Sequence, residues 1–143
     1  MGGEPTSRVP NGRELIDIRT KYAFLALIVT QAIHSAEEYL SHLYEVLPPA
    51  RFASELVSND LATGFLILNV LLILFGIWCY IARVRKNHPS AKFWIWPWII
   101  IELGNGIAHP VLAILRGGYF PGVITAPILL LIAIYLAVKI QHR

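Results

Sequence analysis

Four long apolar runs dominate the chain, each closed by polar or turn-forming residues. The first runs over about 22–46 and stops at Leu47-Pro48-Pro49, because proline cannot continue the helical hydrogen-bond ladder. The second covers about 61–82 and is almost entirely Leu, Ile, Val and Phe, with Asn69 as its one strongly polar residue. A basic loop from Arg83 to Lys92 leads to the third, about 93–115, which opens on Trp94, Trp96 and Trp98 and ends at the turn Arg116-Gly117-Gly118. The fourth covers about 123–138 and is a little short to cross a bilayer without thinning or tilt. Between the first two runs, Ala50–Val57 predicts a short interfacial helix, and Ser58, Asn59 and Asp60 are all good N-caps for the second run. Residues 1–20 are polar and rich in Gly and Pro, which predicts a mobile tail with a short surface helix near Arg13–Ile18.

Composition turns this pattern into a membrane protein. The 143 residues are 56% hydrophobic and 15% charged, with a mean hydropathy of +0.59, well above a soluble domain. The fold class expected is an all-α membrane protein, a four-transmembrane-helix bundle. The first apolar run starts only near Tyr22, carries His and Glu, and has no small-residue cleavage site, unlike a secretory signal. Four spans place both termini and the middle loop on one side. Ten of the twelve Lys and Arg residues fall there, leaving only Arg51 and Arg116 opposite. The positive-inside rule then puts both termini in the cytoplasm, with the chain in the cell (inner) membrane. Basic residues placed that way give no support to a nucleic-acid role. The single cysteine, Cys79, excludes an internal disulfide and a cysteine-rich metal site, and is expected as a small core residue.

Two polar stretches interrupt the apolar runs, Gln31–Tyr39 in the first and Glu102–His109 in the third. A charged Asp, Lys or Arg at a helix centre costs roughly 2.5–3.5 kcal/mol on the insertion scale, so three glutamates here ask for a reason. At 1.5 Å per residue, His34 lies about 18 Å into its span and Glu38 about 24 Å. Glu102, Asn105 and His109 lie about 14, 18 and 24 Å into theirs, and Asn69 about 20 Å from the cytoplasmic end of its own. The groups share one layer. They also share faces: Gln31, His34, Glu37 and Glu38 are spaced as one helical stripe, His42 extends that stripe outward, and Glu102, Asn105 and His109 form a second. Gly104 and Ala108 make a small-xxx-small pair beside Gly106 where another helix can approach closely, and Pro110 frees the carbonyl of Gly106. The first and third spans are expected to touch at this layer.

Two chemistries fit the set. In the first, His34, Glu38 and His109 bind one divalent metal, zinc or iron, since two imidazoles and a carboxylate with an open position form a common catalytic pattern. The carboxylates are one too few for the four-carboxylate, two-histidine di-iron bundle. Glu37 or Glu102 then serves as general base, Asn105 orients substrate or ligand, and Gln31, His42 and Asn69 line the substrate. In the second, the same groups do metal-free acid–base work. The partners implied are the lipid bilayer and an apolar small molecule, and the sequence leaves a homodimer open.

His34-Ser35-Ala36-Glu37-Glu38 reads His-x-x-Glu-Glu, and Asn105-Gly106-Ile107-Ala108-His109 reads Asn-x-x-x-His. In this order, on four hydrophobic spans, the pair resembles the HXXEE-motif family of integral membrane proteins over about residues 22–138. The resemblance implies a metal-dependent membrane enzyme whose signature residues are His34, Glu37, Glu38, Asn105 and His109. It says almost nothing of a substrate. The function expected is an enzyme acting on a lipid-like molecule. Its alternatives are a metal-free isomerase, broadly similar to sterol isomerases that set His and Glu between helices, and a small proton-coupled transporter. Small multidrug exporters have a similar four-span build, but centre on one membrane carboxylate without such His and Asn partners.

Overall fold

The computed structural model describes residues 16–141, and among them every regular element is helical. Most of the expected N-terminal tail, together with His142 and Arg143, lies outside the described residues. Helix α1 (Ile18–Leu40) begins inside that expected tail, because Asp17 caps it by accepting from the backbone N–H of Thr20 at 2.7 Å.

The first apolar run is not one helix. α1 stops at Leu40, where the backbone N–H groups of Ser41 and His42 turn back to the carbonyls of Glu37 and Tyr39. His42 takes the left-handed conformation at φ 58°, and a single turn, α2 (Leu43–Val46), continues at a new angle. Pro48 and Pro49 then occupy the first positions of α3 (Pro48–Val57), where a missing N–H costs nothing. The prolines thus open a helix as well as closing one, and α3 starts two residues earlier than the sequence suggests.

Asp60 caps α4 (Leu61–Cys79), accepting from Thr63 N–H at 2.8 Å, and the helix runs on as a π-helical segment, Tyr80–Val84. α5 (Ala91–Arg116) continues through both Pro97 and Pro110 and ends at Gly117, whose φ of 70° closes it with bonds back to Ile114 and, from Gly118, to Ala113. Residues 117–125 form the loop to α6 (Ala126–Gln141).

Two helices, Leu61–Val84 and Ala91–Arg116, are long and apolar enough to cross a membrane, and α6 is a shorter apolar helix. Large apolar side chains stay exposed along all three, among them Leu71, Leu74, Ile100, Ile114, Leu131 and Ile134. The main core joins Phe24, Leu27 and Ile28 of α1 to Trp98 and Ile99 of α5 and to Leu129, Ala133 and Leu136 of α6. Trp98, the last of the three tryptophans that open the third run, belongs to this core: it is 1% exposed and stands edge-on to Phe24. Cys79 is buried in the same core.

α6 packs against both α1 and α5. The small residue that allows this is Gly106, where an added Cβ would lie 2.5 Å from Leu130 Cβ, while Gly104 has no neighbour within 4 Å. The close helix approach expected at this small-residue stretch is therefore made by α6. α1 and α5 meet through side chains along their length: Phe24 with Trp98, Gln31 with Glu102, and His34 and Glu38 with His109.

Candidate metal centre

His34 and Glu38 are one helical turn apart on α1 and face the same way. His109 reaches them from α5. The Nε2 atoms of His34 and His109 each lie 3.2 Å from the same oxygen, Glu38 Oε1, and all three side chains are buried. One ligand atom from each residue fits within 4.8 Å of the others. The imidazole planes stand at 86° with centroids 4.8 Å apart, so they do not stack and both can turn a nitrogen to one point.

The far sides of the rings are tied down. His109 Nδ1 lies 2.5 Å from the carbonyl oxygen of Pro121, which only accepts, so Nδ1 carries the hydrogen. His34 Nδ1 lies 2.7 Å from Thr125 Oγ1, and Thr125 donates its one hydroxyl hydrogen to Glu37 Oε2 at 2.6 Å, so here too Nδ1 is the donor. A neutral imidazole protonated at Nδ1 points a lone pair from Nε2. His34 Nε2 is buried without a hydrogen-bond partner despite its nearness to Glu38. Two lone pairs and a carboxylate oxygen therefore face one another, a repulsion that a bound cation, or a proton on one of the imidazoles, relieves. That donor set fits a divalent ion, with the opposite ring nitrogens held in the way metal-bound histidines usually are.

The loop before α6 closes over the rings. Gly122 has a φ of +87°, and a Cβ there would lie 2.6 Å from His109 Nδ1 and 2.7 Å from His34 Cε1. Pro121, Gly122 and Thr125 thus complete the surroundings of both imidazoles. Sequence reasoning missed all three, and Tyr119 with them. Pro121 acts through its backbone, Gly122 through a missing side chain, and a threonine beside an apolar helix has no spacing that marks it.

Glu37, adjacent to Glu38, points elsewhere. Its Oε1 accepts from Tyr119 OH and Ile124 N–H at 3.0 and 3.1 Å, and its Oε2 from the N–H and hydroxyl of Thr125 at 3.0 and 2.6 Å. Both oxygens accept hydrogen bonds at the entrance to α6, so Glu37 ties α1 to that loop.

The remaining polar residues form a second line beside the first. Asn105 donates to Glu102 Oε2 at 3.2 Å, and Glu102 is fully buried. One end of the Gln31 amide lies 3.1 Å from Ser35 Oγ and the other 2.9 and 3.0 Å from the Glu102 oxygens, to both of which its nitrogen donates when turned that way. Ser35 donates to Asn69 Oδ1 at 2.6 Å, and Asn69 Nδ2 donates to the carbonyl of Phe65. The structure thus brings Gln31, Asn69, Glu102 and Asn105 together across three helices. It does not bring in His42, whose left-handed backbone turns the ring outward to Tyr44 OH at 2.8 Å and Glu45 at 3.6 Å. The stripe expected to continue to His42 ends where α1 ends.

Fold and site define an all-helical chain, apolar on the outside, with a buried His/Glu/His cluster able to hold a metal ion. The chain belongs to the family described as proteins of unknown function with an HXXEE motif, whose model matches residues 25–136. No curated protein and no solved structure matches the chain.

Proposed function

We propose that the protein is an integral membrane enzyme with one divalent metal, zinc or iron, held by His34, Glu38 and His109. The observation that carries this reading is the convergence of two imidazole Nε2 atoms on Glu38 Oε1 while both Nδ1 atoms donate elsewhere. Four membrane spans with both termini in the cytoplasm fit the apolar exterior and the ten-to-two distribution of basic residues. A bound divalent ion supplies Lewis acidity and an activated water at neutral pH. The chain's own residues do the rest. Glu102, fully buried beside Asn105 and Gln31, accepts a proton as general base. Asn105 orients Glu102 or the substrate. A lipid-like or apolar small molecule is the favoured substrate class, because the site lies among apolar helices. A groove of about 400 Å³ between α1 and α4, lined by Ala32, Ala36, Phe65 and Val70 with Ser35 and Asn69 among them, opens beside the Gln31–Glu102 line.

The test is metal content per chain, on protein purified without a His-tag or chelating column. One ion per chain is expected, lost in His34→Ala and His109→Ala and largely kept in Gln31→Ala. A content near zero in folded, active protein overturns the metal reading and leaves metal-free acid–base chemistry by the same carboxylates.

A further inference from the structure

We propose that Glu37 and Thr125 are positioning residues that act through His34, holding its Nδ1–H so that Nε2 stays free as a metal ligand. This inference rests on the metal reading and assigns the motif's two glutamates to opposite sides of one imidazole.

The geometry begins with helical spacing. Glu37 and Glu38 come three and four residues after His34, the two spacings that place a side chain beside it on the helix surface. Consecutive residues still diverge by about 100° around the axis. Glu38 takes the side facing α5 and meets His34 Nε2 directly, at 3.2 Å. Glu37 takes the side facing the entrance to α6 and meets Nδ1 through one intermediary, Thr125 Oγ1. Each ring nitrogen is thereby served by one of the adjacent glutamates.

The direction of the hydrogen bonds comes from counting hydrogens. Glu37 is surrounded by donors: the backbone N–H groups of Ile124 and Thr125 and the hydroxyl of Tyr119. A carboxylate so placed only accepts, so the Thr125 hydroxyl must donate to it. Having one hydrogen, Thr125 then has only a lone pair for His34, and Nδ1 has to supply the hydrogen. The line His34 Nδ1–H to Thr125 to Glu37 runs one way. An anion at the end of that line raises the electron density on Nε2, as a carboxylate behind a metal-bound histidine does.

The same carboxylate fixes the loop. By accepting the N–H groups of Ile124 and Thr125, the two residues just before α6, it pins the loop at the start of that helix, where a negative charge is also favoured by the helix dipole. The segment it pins carries the Pro121 carbonyl that holds His109, and Gly122 between the two rings.

The test compares cobalt(II) affinity and the visible spectrum of bound cobalt on the full chain in detergent, for wild type, Thr125→Val, Thr125→Ser and Glu37→Gln. Thr125→Val keeps the shape and loses the hydroxyl. It should weaken affinity about 10–100-fold and shift the spectrum, the usual cost of removing an outer hydrogen-bond partner of a metal-bound histidine. Thr125→Ser should restore both, and Glu37→Gln should weaken affinity as Val does. Thr125→Val with wild-type affinity and spectrum overturns this inference and leaves the metal reading intact. A wild-type chain that binds no cobalt overturns both. A second measurement needs no variant: nitrogen NMR of imidazole-labelled, metal-free protein should find His34 protonated at Nδ1. Protonation at Nε2 overturns the proposal even if every variant misfolds.

Discussion

The imidazoles of His34 and His109 stand nearly perpendicular, 4.8 Å between centroids, and both present Nε2 to one oxygen of Glu38. They come from different helices, α1 and α5, and are separated by 75 positions in the chain. What brings them together is a loop that offers an acceptor to each ring. The consequences reach residues that carry no chemistry of their own.

Gly122 is the most sensitive of these. Its φ of +87° disfavours any other residue, and a Cβ would strike both imidazoles. Gly122→Ala should destabilise the fold by roughly 1–3 kcal/mol through backbone strain and overpacking, and should lower metal content together with stability. Thermal unfolding in detergent and metal analysis check this. Wild-type values in both would mean that the loop has room to withdraw from the rings.

Gly104 and Gly106 give a contrast two residues apart. Gly106→Ala drives a methyl into Leu130 and should loosen α5 from α6, whereas Gly104→Ala meets nothing. The first should lower the melting temperature. The second should leave it unchanged or raise it slightly, since Ala favours a helix by up to about 1 kcal/mol over Gly. Equal losses in both would argue that Gly104 packs against a partner, such as a second copy.

Ser35 joins α1 to α4 by donating to Asn69 and faces the Gln31 amide. Ser35→Ala leaves the Asn69 carbonyl oxygen without its donor and should cost about 1–3 kcal/mol of stability. Metal content should not change, because no ligand or its support is touched. Loss of the metal in a folded Ser35→Ala protein would tie the two polar lines more closely than their hydrogen bonds do.

Asp60 supplies a pH dependence with a definite sign. Hydrogen bonds from Thr63 hold its carboxyl below the ordinary value of 3.8. A group depressed in the folded state stabilises fully above its unfolded pKa and loses that effect as the pH falls through the folded value. Asp60→Ala should therefore lower the melting temperature at neutral pH, by a difference that narrows once the pH drops below 3.8. A difference independent of pH would mean that the charge on the cap is irrelevant.

Topology can be read from two exposed positions. Leu56 on α3 and Arg85 beyond the π-helical segment lie at opposite ends of α4, and Leu56 is 72% exposed. Cysteines placed at these two sites in a Cys79→Ala background should label from opposite sides of the membrane, Arg85→Cys from the cytoplasm. Labelling of both from outside intact cells would remove α4 as a span. Ser54 is a poor choice for such labelling, because it is buried against Gly64.

How far the sequence alone reaches can be judged element by element. The all-helical character was legible, because the apolar runs are long and their ends carry Pro, Gly, Asp or Ser. Three of the helix ends lie within two residues of the places where proline, glycine or a capping residue marks them, at Pro48, Asp60 and Gly117. The break at Ser41–His42 was not legible, since nothing between Leu40 and Leu43 has low helix propensity enough to announce a left-handed residue. The tertiary fold imposes it.

For the site, helical periodicity alone put His34 with Glu38 on one face, and Glu102, Asn105 and His109 on another, because positions three, four and seven apart must share a stripe. Matched depth argued that the stripes meet. Which atoms meet was decided only in three dimensions. The packing of α6 against both α1 and α5 makes Gly106 the close contact and leaves Gly104 open. The same packing brings Thr125 to His34 and the Pro121 carbonyl to His109. Those contacts depend on where a loop lies relative to helices far away in the chain, and no local pattern encodes that distance. Glu37 shows the limit most plainly. Its sequence neighbour Glu38 shares its chemistry and nearly its position, and only the direction in which each points separates the carboxylate that holds the entrance to α6 from the one that meets both imidazoles.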